Sequence, residues 1–131
     1  MRAHTPIGAL RSLFRRLRTP RREPPLLTEV DPAFAQELEQ LLQRKERRRL
    51  ATSVSDLRVV ELCRCSDPKC SSFYVIPRFI VSWRWPAQGE TLELDAARGT
   101  ISVDVVDHEI VLVEVLDRPE LSRALNAANP P

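Results

Sequence analysis

Glycine is scarce: three residues in 131, against 11 prolines. Few backbone positions are therefore free to take positive φ, which works against a glycine-rich phosphate loop and against nucleotide binding of that kind. Aromatic residues make up only 5% of the chain, and Phe14 is the one aromatic among residues 1–22. Base stacking by that segment, and with it sequence-specific nucleic-acid recognition, is not expected. Long apolar runs are missing as well. The longest candidate, Ile110 to Val113 with Val115 and Leu116, is interrupted by Glu114, far short of the roughly 20 residues a membrane helix needs, so no transmembrane segment is expected. Arg11, Arg15 and Arg16 break up what would be the apolar stretch of a secretory signal. Three cysteines cannot all pair within one chain, so a reducing, cytoplasmic location is expected.

Residues 1–22 also lack acids. They carry seven arginines, Arg2, Arg11, Arg15, Arg16, Arg18, Arg21 and Arg22, leaving 13 basic and 18 acidic side chains for the remainder, whose net charge is −5. Within this arm Ile7, Leu10, Leu13, Phe14 and Leu17 fall on one helical face. A segment of about three turns that ends at Pro20 is too short to hold a helix alone in water. Residues 1–29 therefore read as a basic, largely disordered arm with a proline-rich linker. Arg11, Arg15, Arg16, Arg18, Arg21 and Arg22 are its candidate anion-binding residues, toward nucleic acid phosphates, an anionic membrane or the acidic body of the protein itself.

Residues 30–128 read as a single α+β domain, an antiparallel sheet of about five or six strands with an N-terminal helix and a short C-terminal helix. Asp31-Pro32 is a helix start, and Phe34, Leu38, Leu41 and Leu42 recur at helical spacing, predicting a helix over 32–50. From Leu57 the apolar period shortens to two, predicting strands near 57–65, 71–76, 79–85, 90–95, 100–106 and 109–116. Phe79, Val81, Trp83 and Trp85 alternate most clearly, and Ile110 to Val113 suit a central strand covered on both faces. Asp67-Pro68, Gln88-Gly89, Arg98-Gly99 and Asp107-His108 are the expected turns. Asp117 with Glu120 resembles a capping box, with Leu121 and Leu125 continuing the last helix to about Ala128.

One constellation could carry chemistry: Cys63-Arg64-Cys65-Ser66-Asp67-Pro68-Lys69-Cys70, a C-x-C-x4-C cluster across an expected hairpin turn. Cys63 and Cys65 share a face if the segment is a strand, and Cys70 returns opposite Cys65. Three readings are open: sulfurs packed in the sheet, a zinc site with Asp67, His108 or His4 as a fourth ligand, and a Cys65–Cys70 redox pair. Arg64 and Lys69 could lower a neighbouring thiol pKa or point away into solvent. Catalytic spacings are absent, with no nucleophile elbow, zinc-protease or phosphate-loop motif, and neither His4 nor His108 has an obvious partner. The sequence thus favours a non-catalytic domain. It would be a protein-binding or adaptor unit that meets a partner, or a second copy as a homodimer, through a sheet face or edge; the alternatives are a zinc protein and attachment through the arm.

The strings C-x-C-x4-C-x-x-F-Y, from Cys63 to Tyr74, and D-V-V-D-x-x-I-V-x-V-E-V-L, from Asp104 to Leu116, resemble a group of small uncharacterised bacterial proteins of high-GC Gram-positive lineages. The resemblance covers roughly residues 30–127 and implies domain limits but no activity. It also implies that the position of His108 is an ordinary turn residue, often glycine.

Overall fold

The computed structural model describes residues 23–129. The arginine-rich arm, His4 and the anion-binding expectation lie outside the described residues. The packed region begins earlier than residue 30. Helix α1, Leu27–Val30, places Leu27 fully inside the core, because Leu27 N–H bonds Leu57 O at 2.8 Å and Val59 N–H bonds Pro25 O at 2.8 Å. These bonds tie the end of the expected linker to the segment leading into the sheet.

Helix α2, Pro32–Arg44, starts as its sequence dictates: Pro32 sits in the first turn and Asp31 Oδ1 accepts from Phe34 N–H at 3.0 Å. Phe34, Ala35, Leu38, Leu41 and Leu42 are all buried. The single helix expected over 32–50 is instead two. At its end Glu46 N–H bonds Gln43 O (2.9 Å) and Arg47 N–H bonds Leu42 O (3.0 Å), with Glu46 at φ 60, the paired bonds of a Schellman ending. Helix α3, Arg48–Ser53, then turns back against α2 and runs into a 3-10 turn, Val54–Asp56. This ending takes glycine by preference, and with Glu46 in its place no local signal marks the break.

Five strands follow among the described residues: β1 Glu61–Leu62, β2 Phe73–Tyr74, β3 Gly89–Leu94, β4 Thr100–Val106 and β5 Glu109–Leu116. All pair antiparallel in the order β1-β2-β5-β4-β3, so β5 is central. On one face Phe73, Ile101, Val103, Val113 and Val115 are fully buried under α1 to α3 and helix α5, Pro119–Ala128. Phe34 meets Phe73 edge-on at 6.5 Å. A register shift beside Asp104 and Val105 carries Val111 to the other face, where it packs with Val106.

The strand expected at 79–85 is a helix. Residues Arg78–Gln88 form α4, and its Val81, with half-buried Trp85 one turn on, covers Val106 and Val111 at one end of that second face. The alternation of apolar residues fits a helix as well as a strand, since 81 and 85 are also four apart. The need to cover Val106 and Val111, which a helix laid across the sheet meets and a further edge strand would not, selects between the two readings. Gln88-Gly89 is consequently a helix-to-strand junction, and a Cβ at Gly89 would run into the Trp85 ring. Two further expectations are corrected. The 57–65 strand narrows to 61–62 because Arg58 bridges Leu26 instead. Asp117 does not cap α5: it sits at φ 63 with its N–H on Lys69 O, Arg118 is the cap residue, and Glu120 pairs with Arg98.

Candidate metal centre

The cysteines lie on the second face of the sheet, at the end that α4 leaves open. β1 and β2 pair Glu61 with Tyr74 and Leu62 with Phe73. Continuing that register sets Cys63 opposite Ser72, where Cys63 N–H bonds Ser72 O at 2.9 Å, and Cys65 opposite Cys70. Between them Asp67-Pro68-Lys69-Cys70 closes a β-turn through Cys70 N–H to Asp67 O, 3.1 Å, and Asp67 Oδ1 takes Lys69 N–H at 2.9 Å. Aspartate at the first turn position and proline at the second suit this geometry. Cys70 also bridges Leu116 of β5, so the turn is clamped to the central strand.

By the two-residue period of a strand, Cys63, Cys65, Cys70 and Ser72 project to the same side. Their arrangement brings the three sulfur atoms within 4.8 Å of one another. All three are free thiols, Cys65 exposed and the other two half-buried. A cleft of about 410 Å³ opens over them, with Tyr74, Ser102, Leu112 and Glu114 on its walls.

Their environments differ. Burial pushes the Cys63 thiol up, and the neighbouring Cys65 and Cys70 thiols add to the rise. Burial also acts upward on Cys70, but hydrogen bonding with Ser72, side chain and backbone, and with the Cys65 and Cys63 thiols together outweighs it and lowers its pKa. Cys70 Sγ donates to Ser72 Oγ at 3.3 Å, and the same oxygen accepts Val115 N–H at 2.9 Å; once the thiol ionises, the Ser72 hydroxyl proton is available to turn to the sulfur. Cys70 thus ionises more readily than Cys63, and a cation would relieve the repulsion among three thiolates. Across the cleft, partial desolvation and the adjacent Asp104 raise the Glu114 carboxyl above its usual range.

The three expected cysteines therefore come together, and the expected fourth ligands do not join them. Among the described residues the cluster contains no fourth histidine, cysteine or carboxylate donor. Asp67 borders the cleft with one oxygen engaged in its own turn. His108, at φ 66 in the β4–β5 turn, borders grooves with Arg49 and Asp107 at the opposite end of that hairpin. Lys69 reaches toward Asp117, 3.9 Å away. Ser72, Tyr74, Ser102 and Glu114 were missed as site residues, although the alternation of S-S-F-Y, I-S-V and V-E-V-L places each on the cysteine side.

Two other features stand apart from the centre. Phe79 and Trp83, one turn apart on α4, are 73% and 83% exposed. Arg118 is buried, held by both oxygens of Glu37 and by Arg98 O at 3.2 Å, with its guanidinium 5.7 Å from the Phe34 ring centre. Among the described residues no helix is long and apolar enough to cross a membrane. No family model, no curated protein and no solved structure matches this chain.

Proposed function

We propose that this is a small metal-binding domain whose Cys63, Cys65 and Cys70 hold zinc. The observation that carries the reading is the mutual approach of three sulfurs within 4.8 Å. Zinc bound to thiolates at about 2.3 Å in tetrahedral geometry needs sulfurs roughly 3.8 Å apart, so small side-chain rotations close the set. Soft anionic donors without oxygen ligands suit zinc rather than magnesium or calcium. The metal would staple the two sides of the Asp67 turn to each other, Cys63 and Cys65 to Cys70, stabilising a part of the sheet that has only two-residue strands. The bacterial group that the C-x-C-x4-C string resembles would share the centre.

Metal and thiol content of protein purified without chelators tests this. About one equivalent of zinc is expected, lost on Cys70→Ser. Less than about a tenth of an equivalent, with no rise in melting temperature on adding zinc, overturns it. A Cys65–Cys70 disulfide in freshly purified protein would favour the redox reading instead.

A second reading, a protein-docking domain, is supported by Phe79 and Trp83. Their narrow apolar strip suits packing of α4 against α4 of a second copy. Two such side chains bury less than the roughly 1,200 Å² of a stable interface, so association would be weak and concentration-dependent. Sedimentation that detects only monomer at every concentration, for both the parent and Trp83→Ala, removes this reading.

A further inference from the structure

Structural zinc sites close themselves with four protein ligands, whereas sites that exchange a ligand leave one position open. This centre has three donors and faces a cleft. Resting on the zinc reading above, we infer that the fourth position is open and takes a small neutral donor from solution, water or an imidazole-type nitrogen, through the cleft over Cys63, Cys65 and Cys70.

Three observations point the same way. No fourth donor joins the sulfurs among the described residues. Asp67 Oδ1 holds the Lys69 amide, Glu114 stands diagonally across the β4–β5 pair from Asp104 and outside the sulfur cluster, and His108 stands at the far end of the β4–β5 hairpin. The cleft, about 410 Å³, has room for a ligand far larger than the ~30 Å³ share of one water. Its walls also supply hydrogen-bond partners, the hydroxyls of Tyr74, Thr100 and Ser102.

Charge selects the ligand class. Three thiolates around a divalent cation leave a net charge of −1, and Glu114 and Asp67 border the same space. A fourth anion would double the negative charge of the centre beside these acids, while a neutral donor adds none. Among the described residues no lysine or arginine lines the cleft, and Lys69, next to Cys70 in the chain, is directed to Asp117. An anion therefore has no counter-charge there to offset its desolvation.

Cobalt(II) substituted into the full chain reads the coordination sphere directly. Titration with imidazole should shift the visible d–d bands saturably while the sulfur-to-cobalt charge-transfer intensity of three thiolates stays constant; azide at the same concentrations should shift them less. Bands that imidazole leaves unmoved overturn the inference, as does loss of the charge-transfer intensity, which reports metal stripping instead of ligand addition. An azide response stronger than the imidazole response overturns the choice of a neutral ligand. His4→Ala addresses the arm: if the full chain is insensitive and this variant responds, the chain closes its own site through His4 and the inference fails. Absence of any thiolate–cobalt band in the parent protein sinks the zinc reading, and the open position with it.

Discussion

The two faces of the same five strands do different work. On the helix-covered face Phe73, Val103, Val113 and Val115 have no exposed surface, and the charged group admitted there, Arg118, is matched by Glu37 and Arg98 O. On the opposite face the buried strand residues are Val106 and Val111, beneath α4. Beyond them it carries Ser102, Glu114, Tyr74 and the cysteines, with a cleft in place of a packed layer. Adjacent residues thus serve opposite ends, Phe73 the core and Ser72, just before β2, the thiols. Alternation separates stability from chemistry at single-residue resolution.

That separation can be broken most strongly at Phe73. Phe73→Ala should cost about 3–5 kcal/mol in denaturant unfolding, because the ring is fully buried against Phe34. It should also weaken metal uptake by loosening β2. Glu37→Ala comes next, at about 2–3 kcal/mol, since it strands a buried guanidinium; Glu37→Ala with Arg118→Met should recover much of that loss. On the open face Cys70→Ser should abolish metal binding yet change the unfolding free energy of metal-free protein by no more than about 1 kcal/mol. A larger loss would show that the faces are not separable.

Glu114→Gln sharpens the contrast through pH. The Glu114 carboxyl is raised in the folded protein by desolvation and by Asp104, so folding favours its protonated form. Its contribution is complete below the unfolded value, about 4.3, and is lost as pH rises through the elevated folded one. The glutamine variant should match the parent near pH 3 and exceed it at pH 7, by under about 1 kcal/mol because the side chain is exposed. Urea midpoints of metal-free protein at the two pH values check the sign. The smallest effect is expected at the β4–β5 turn, where Asp107 and His108 both hold positive φ, 51 and 66. His108→Gly should stabilise by about 0.5 kcal/mol, relief of strain being partly offset by the glycine's unfolded-state entropy.

Much of this architecture could be read before any coordinates. The start of α2 follows from Asp31-Pro32, the β4–β5 hairpin from alternating valines, and the turn at Asp67-Pro68 from the preferences of those two residues. Convergence of the sulfurs needed only that turn and a period of two. Two elements were hidden for identifiable reasons. The break after Arg44 uses Glu46 where glycine is the usual marker, and the apolar spacing at 79–85 is compatible with either structure.

Local chemistry determined the α+β class, the cysteine hairpin and the composition of each strand face, because turn preference and alternation act over a few residues. Tertiary structure alone decided that Arg78–Gln88 is a helix, that Cys70 is clamped to β5 and that His108 stands away from the sulfurs. Those outcomes depend on which strand sides are already paired and which apolar patches still face water, and both are set by contacts between residues distant in the chain.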